Sequence, residues 1–420
     1  MLKIVYKNCC GIDVHKKQVT CTIALTDNEA ITTYKTKQFS TMTYDLKNLK
    51  IWLADNNCND VCMESTGKYW IPVYNILEDT CKITLCHPKY VRSILGKKTD
   101  KKDSIWIADI FKHGLVQGSF MPPKDIRELR DLMRYRFKLV NLKASEKNRF
   151  QNSLTVSNVM IFNILSDTFG KTSMSILSLM LENKTLKIED IKPLIRKHVK
   201  ASPDEILKSV EGTFSNYQNK KMQVCLNHYG DVIIAIDDIE KSVIELALPY
   251  KEQLNLILTV PGIKETSALV ILSEIGIDMS EFADAEKLCS WAGLTPQNSE
   301  SAGKKKSVRV SRAGVYLKPT LIQCANAAIK DKKCPYFKLR YENIKKRRGH
   351  KRAIIAIARM LLSSIYSMLK NNKEFDYSIY EELTNKNFKP KDTKLNISNA
   401  IKFLESQGYS VSNLETIPSV

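Results

Sequence analysis

The order of apolar runs in the first 120 residues restricts the fold of this chain more than any other feature. A strand-like run ends over residues 11–14. Residues 19–25 alternate, with Cys21, Ile23 and Leu25 on one face, and Asp27-Asn28 supplies a turn before a third run over 32–39. A helix is expected over 44–54, where Leu46, Leu49 and Leu53 share one side. There follow a strand over 60–63 that ends at Glu64, a helix over 70–77, a strand over 82–86 and a helix over about 103–115. The sequence of elements is β-β-β-α-β-α-β-α. A generic doubly wound domain lacks the opening antiparallel meander, so the order predicts an α/β RNase H-like domain over residues 1–120.

Four carboxylates stand where these elements begin or end: Asp13 in GIDVHKK, Glu64 in CMESTG, and Asp100 and Asp103 in KKTDKKDS. Asp13 ends the first, central strand and Glu64 ends the strand expected beside it. Asp100 and Asp103 are three apart at a helix start, so both project from one face, near the positive end of the helix dipole. Each acid alone reads equally as a surface residue or helix cap. Together they offer the anionic oxygens that divalent-metal phosphoryl transfer needs. His15, next but one to Asp13, reads as a strand-end residue in preference to a proton carrier. Tyr69 and Trp70 read as packing groups of the core or of a substrate channel. The chain carries 65 Lys and Arg against 45 Asp and Glu, a formal charge of +20. Such an excess favours a polyanionic partner, of which nucleic acid is the common one.

The length of 420 residues fits about three domains. Pro122-Pro123 marks a boundary, and residues 121–250 read as a helical and coiled-coil region. Ile126, Leu129, Met133, Phe137 and Val140 form an apolar stripe, while Arg127, Arg130, Arg134 and Lys138 occupy another face, open to phosphates or to solvent. Residues 151–200 suggest short helices with polar breaks, and Ser202-Pro203 reads as an N-cap with proline at the first helical position. Met222, Cys225, Tyr229, Val232, Ile236, Ile239, Val243 and Leu246 keep a strict 3-4 alternation. That seam makes residues 215–248 one long helix, paired either in a coiled coil between copies or in an antiparallel hairpin within the chain.

Residues 251–372 read as a mainly α C-terminal domain. LILTVPGIKETSALVILSEIG has the pattern of a helix-hairpin-helix element, whose turn would offer backbone N–H groups to a phosphate. Residues 296–314 look polar, basic and flexible, with Lys304, Lys305, Lys306, Arg309 and Arg312. Lys345, Lys346, Arg347 and Arg348 open a second basic cluster before a final amphipathic helix over 353–369. The tail, 373–420, has no motif with a readable role.

Eleven scattered cysteines with no CxxC pair argue for reduced, mostly buried thiols over disulfides or zinc. No run of about 20 apolar residues suggests a membrane span, and the N-terminus lacks a signal peptide's apolar region. An intracellular protein is the expectation.

GIDVHKK, MESTGKYW and KTDKKDS, followed by VPGI, LSEIG, WAGLTP and a Ser-x-Gly-Lys stretch, resemble the DEDD-type insertion-sequence transposases over about residues 8–370. That family pairs a RuvC-like N-terminal domain with a C-terminal transposase domain and includes the bridge-RNA-guided recombinases. The resemblance implies that Asp13, Glu64, Asp100 and Asp103 bind Mg²⁺, with Mn²⁺ a possible substitute. It also implies a catalytic serine after the WAGLTP-like segment, which falls on Ser301. Many members have Ser-Gly where this chain has Ser301-Ala302, so Ser299 is a second candidate. The implied reaction joins the serine to DNA as a phosphoserine, and its partners are two DNA duplexes, a guide RNA and further copies of the chain, as dimers pairing into a tetramer. The expected setting is the cytoplasm and nucleoid of a prokaryote. Two other readings fit the same fold. A Holliday-junction-resolvase-like nuclease would need the acids and no serine, and a non-catalytic nucleic-acid-binding protein would need neither.

Overall fold

The computed structural model describes residues 2–388 apart from 66, 89–98, 183–184, 297–298, 302–303 and 308, together with 401, 404–405 and 408. The chain forms two compact units, Met1–Pro122 and Pro123–Val420.

In the first unit, strands β1 (Asn8–Val14), β2 (Gln18–Thr26) and β3 (Thr32–Ser40) form the meander, followed by helix α1 (Thr43–Asp55), β4 (Asp60–Glu64), α2 (Trp70–Leu77), β5 (Lys82–Cys86) and α3 (Asp100–Lys112). The sheet order is β3-β2-β1-β4-β5. The β1–β2 and β2–β3 pairs are antiparallel, and the β1–β4 and β4–β5 pairs are parallel. Because successive side chains alternate between faces, Cys10, Ile12, Val14, Cys21, Ile23, Val61 and Met63 enter one core. Leu46, Leu49 and Leu53 of α1 and Val73 and Leu77 of α2 cover it. The opposite face presents Cys9, Ala24, Cys62 and Cys86 to Ile107, Ala108 and Phe111 of α3. Sequence periodicity places the start of α3 near residue 103, but the helix begins at Asp100. Thr99 is its N-cap and accepts a hydrogen bond from the Lys102 N–H at 3.3 Å. The first turn is polar throughout, so apolar spacing gives no sign of it.

Helix α4 (Lys124–Val156) opens the second unit. Short helices α5 (Ile161–Ile164), α6 (Lys171–Leu181), α7 (Ile188–Ile191) and α8 (Pro203–Ser209) follow it, and then α9 (Asn216–Ala247). Ser202 caps α8 in a capping box with Glu205, and Pro203 is at the first turn. The seam of α9 is buried against α4 of the same chain. Leu139 packs with Val232 and Ile236, Arg136 pairs with Glu240, and His228 lies 3.0 Å from Glu146. As position rises along one helix it falls along the other, so the pair is antiparallel. The seam therefore serves an intramolecular hairpin.

Helices α10 (Lys251–Leu258), α11 (Glu265–Ile275) and α12 (Ala285–Trp291) come next. Strands β6 (Ser299–Ser301) and β7 (Lys304–Ser307) then lead to α13 (Leu317–Ala328), α14 (Pro335–Arg348), α15 (His350–Asn371) and α16 (Tyr377–Phe388). The PGI turn joins α10 to α11 as the sequence suggests, but it faces inward. A Cβ on Gly262 would fall 2.5 Å from the Ala328 N and the Cys324 carbonyl oxygen. The stretch expected to be flexible has structure, and so does the start of the tail. Residues 299–307 pair as a hairpin, and Pro296 bridges Val310. The start of the tail docks, with Phe375 stacked on Tyr380 at 4.8 Å and the Tyr380 hydroxyl 2.6 Å from Ser364 Oγ. Helix α15 would be long and apolar enough to cross a membrane by length and composition, although Arg359 interrupts its apolar run. Its Ile354, Ile357, Leu361, Leu362 and Ile365 are buried within the fold. All eleven cysteines are free thiols, and only Cys81 is not fully buried.

Candidate active site

Asp13 and Glu64 reach the same face of the sheet from adjacent strands. Ile12 pairs with Met63 in the parallel register, so the next residue on each strand is an acid. That is also the face α3 covers. The helix approaches β1 closely enough at Gly11 to place the first turn, with Asp100 and Asp103, by the end of the strand. Behind this contact Thr22 Oγ1, on the paired strand, lies 2.7 Å from Ser104 Oγ.

Asp13 is 7% exposed. Burial pushes its carboxyl up to about 6, His15 works against that shift, and the charges of Asp100, Asp103 and Glu64 add to it. The charges of the other three predicted acids thus all bear on the Asp13 carboxyl. His15 Nε2 lies 3.1 Å from Asp13 Oδ2 and 3.4 Å from Asp100 Oδ1. Gln18 Nε2 donates to the other oxygen of Asp100 at 2.6 Å. His15 and Gln18 close the β1–β2 turn, where the His15 N–H donates to the Gln18 carbonyl at 3.0 Å. The sequence reads His15 as a strand-end residue and does not single out Gln18, because neither spacing nor periodicity tells which way a turn residue points. Trp70 packs against the core beside Tyr74, and Tyr69 is exposed.

The donor set suits a divalent metal. Asp13, His15 and Asp100 each offer a ligand atom, and these atoms lie within 4.8 Å of one another. Hard carboxylate oxygens dominate, as the smaller divalent cations require. The neighbouring acids raise the proton affinity of Asp13, a repulsion that a cation would relieve.

The predicted basic residues divide. Arg130 and Arg134 are engaged inside the fold and do not present a phosphate-binding face. Arg130 donates from Nε to the Ser273 carbonyl at 2.9 Å and from Nη2 to the Glu274 carbonyl at 2.8 Å. Arg134 makes a two-point pair with the buried Glu274 carboxylate, at 2.7 and 2.8 Å. The two arginines thereby satisfy the carbonyls and the acid at the end of α11, a partner some 140 positions away that helical spacing cannot reveal. Arg127 is half-buried. Arg309 and Arg312 are exposed, as are Lys345, Lys346, Arg347 and Arg348 in the last turn of α14. Ser301 is the last residue of β6, and its backbone pairs with Lys304. The hairpin's base is tied by Lys318, whose Nζ donates to the Ser311 carbonyl at 2.6 Å. The side chains of Ser299, Ser301, Lys304, Lys305 and Lys306 lie outside the described part of the structure.

A mixed sheet with acids at the end of its central strand, followed by a helical unit, accords with a DNA transposase or recombinase, the class that similarity to known proteins gives this chain. Two family models match the chain in order. One, described as Transposase and of the DEDD type, covers residues 10–158, and the other, described as Transposase IS116/IS110/IS902 family, covers residues 254–342. The chain belongs to the IS110 family of DEDD transposases, whose first domain implies the RNase H-like fold with which this sheet is consistent. It is also similar to the pilin gene-inverting proteins of Moraxella bovis and Moraxella lacunata. Each is 22% identical to it, over 391 and 393 residues, covering 88% of this chain and 98% of theirs.

Proposed function

We propose that this chain cuts and rejoins the DNA of its own mobile element under the direction of a guide RNA. In this reading Mg²⁺ is bound by Asp13, Glu64, Asp100 and Asp103, and Ser301 is the nucleophile. The observation that carries it is the convergence of Asp13 and Asp100, at 3.1 and 3.4 Å from one imidazole nitrogen, in a cluster whose charges raise the Asp13 carboxyl. A bound divalent cation supplies Lewis-acid polarisation of a phosphate oxygen. The acids hold it and exclude other anions, while burial of Asp13 fixes its position.

Ser301 Oγ then attacks the scissile phosphorus. A serine–phosphorus bond forms, the bond to the 3′-oxygen breaks, the serine proton departs and the 3′-oxygen ends as a hydroxyl. Because the phosphodiester energy is kept in the phosphoserine, a 3′-hydroxyl from another duplex can reverse the step without a nucleotide cofactor. The backbone pairing of Ser301 with Lys304 supports the assignment, since it puts a lysine opposite the serine. Lys305, Lys306, Arg309 and Arg312 would neutralise nearby phosphates, as would Lys345, Lys346, Arg347 and Arg348 farther along the strand. Base pairing with the guide would carry target choice, in a prokaryotic nucleoid. Assembly as dimers and tetramers belongs to the same reading, and it needs a surface other than the α9 seam.

The Moraxella proteins are named for inverting a pilin gene, and that name supports reading this chain as one that rearranges DNA. An element-excision assay in cells tests the proposal: Asp13→Asn, Asp100→Asn and Glu64→Gln should each abolish excision. Excision at the wild-type rate in the Asp13→Asn strain would rule out the acidic cluster as the catalytic centre. A resolvase-like nuclease keeps some support because all four acids belong to residues 1–122, a unit compact by itself.

A further inference from the structure

We propose that His15 is itself a ligand of the divalent cation and biases the site toward Mn²⁺ over Mg²⁺. The inference rests on the reading of the acidic cluster as a metal site. His15 Nε2 lies 3.1 Å from Asp13 Oδ2 and 3.4 Å from Asp100 Oδ1. Adjacent ligands of an octahedral cation with bonds of about 2.1 Å are themselves about 3 Å apart. The imidazole nitrogen thus stands from both carboxylate oxygens at nearly the separation one small cation imposes, and all three ligand atoms lie within 4.8 Å of one another.

A hydrogen bond alone accounts for this geometry less well. Nε2 carries one proton or one lone pair, so it can serve one carboxylate squarely but not two. A shared cation satisfies all three at once. The surroundings hold the arrangement in place. The His15 backbone is fixed by its 3.0 Å hydrogen bond to Gln18. The Gln18 amide holds Asp100 Oδ2 at 2.6 Å, which turns Oδ1 toward His15. The His15 side chain is 53% exposed, so the ring can move onto a cation without disturbing the core.

The donor types set the preference. Mg²⁺ favours oxygen and gives up water reluctantly, whereas Mn²⁺, though also well served by carboxylates, accepts an imidazole nitrogen more readily than Mg²⁺ does, and the later first-row metals more readily still. Replacing the nitrogen should therefore cost Mn²⁺ more than Mg²⁺.

The test uses full-length protein and the two metals separately, with affinities from calorimetric titration and the Mn²⁺ electron spin echo as a second readout. The wild type should show modulation from an imidazole nitrogen. In His15→Ala that modulation should vanish, and the ratio of Mn²⁺ to Mg²⁺ affinity should fall by about tenfold or more. His15→Gln, which keeps a hydrogen-bonding group but no imidazole, should behave as His15→Ala does. Circular dichroism checks that each variant is folded. If His15→Gln keeps the wild-type ratio, or the wild type lacks nitrogen modulation while Asp13→Asn still abolishes Mn²⁺ binding, His15 is no ligand and the metal site stands without it. If Asp13→Asn leaves Mn²⁺ binding intact, the metal site itself is wrong and the proposal falls with it.

Discussion

A Cβ on Gly11 would fall 2.3 Å from the backbone nitrogen of Ala108. No side chain fits between β1 and α3 at this point, because the Ser104 carbonyl oxygen is also within 2.4 Å of the same position. Asp13 lies two residues farther along the same face, so the close approach that Gly11 permits also brings the α3 acids to it. Gly11→Ala should push the helix away, lowering unfolding stability by about 1–3 kcal/mol. It should also weaken Mn²⁺ binding. Urea denaturation and metal titration of the variant check both, and unchanged metal affinity would detach the glycine from the site.

The raised carboxyl of Asp13 predicts an unusual pH dependence without metal. The folded protein keeps a proton on Asp13 up to about pH 6, while the unfolded chain releases it near 3.8. Metal-free stability should therefore fall as pH rises from about 4 to about 6, by at most about 3 kcal/mol from this group. Metal competes with that proton, so Mn²⁺ affinity should drop as pH falls below about 6. Urea unfolding in chelator across this range should lose that part of its slope in Asp13→Asn.

Arg134 and Glu274 make the second testable contact. Glu274 is 4% exposed, so Arg134→Ala would leave a buried carboxylate without its two-point partner. It would also remove the guanidinium that lies 4.9 Å from the Tyr316 ring centre. A loss of about 3 kcal/mol is expected, with little effect on DNA affinity at fixed folded fraction. A DNA-affinity loss in fully folded Arg134→Ala would restore this arginine to the nucleic-acid face.

The seam of α9 predicts stability effects inside one chain. Ile236 is 8% exposed against Leu139 of α4. Ile236→Asp should lower the unfolding midpoint by several degrees, because it buries a charge without a partner. Light scattering should give the same particle mass before and after, since the seam is already satisfied within the chain. Dissociation without destabilisation would mean the seam pairs between copies.

Much of the first unit was legible because its strands are short apolar runs set off by turns, β2 alternates cleanly, and β1 and β4 carry acids at their ends. Ile12 and Met63 had to face one core, so Asp13 and Glu64 had to face the other side. The start of α3 was less legible, since Asp100 to Asp103 contains no apolar residue to mark helical spacing. Contacts of long range were not legible at all. Nothing near Arg130 or Arg134 announces Glu274, and nothing in the α9 seam says whether its partner is α4 or another chain. His15 was undervalued for a local reason: the turn that directs its ring toward Asp100 depends on a hydrogen bond to Gln18, not on strand alternation.

The central claim is that the acidic cluster and Ser301 serve one covalent reaction, and trapping the protein–DNA adduct tests it most directly. Full-length protein with element DNA, the proposed guide RNA and Mg²⁺ or Mn²⁺ is stopped during strand cleavage, digested and mapped by mass spectrometry. The account predicts a nucleotide joined through phosphate to Ser301, absent from Ser301→Ala and from Asp13→Asn. Metal-dependent cleavage by Ser301→Ala at the wild-type rate, with no adduct on any serine, would contradict it and leave a resolvase-like nuclease.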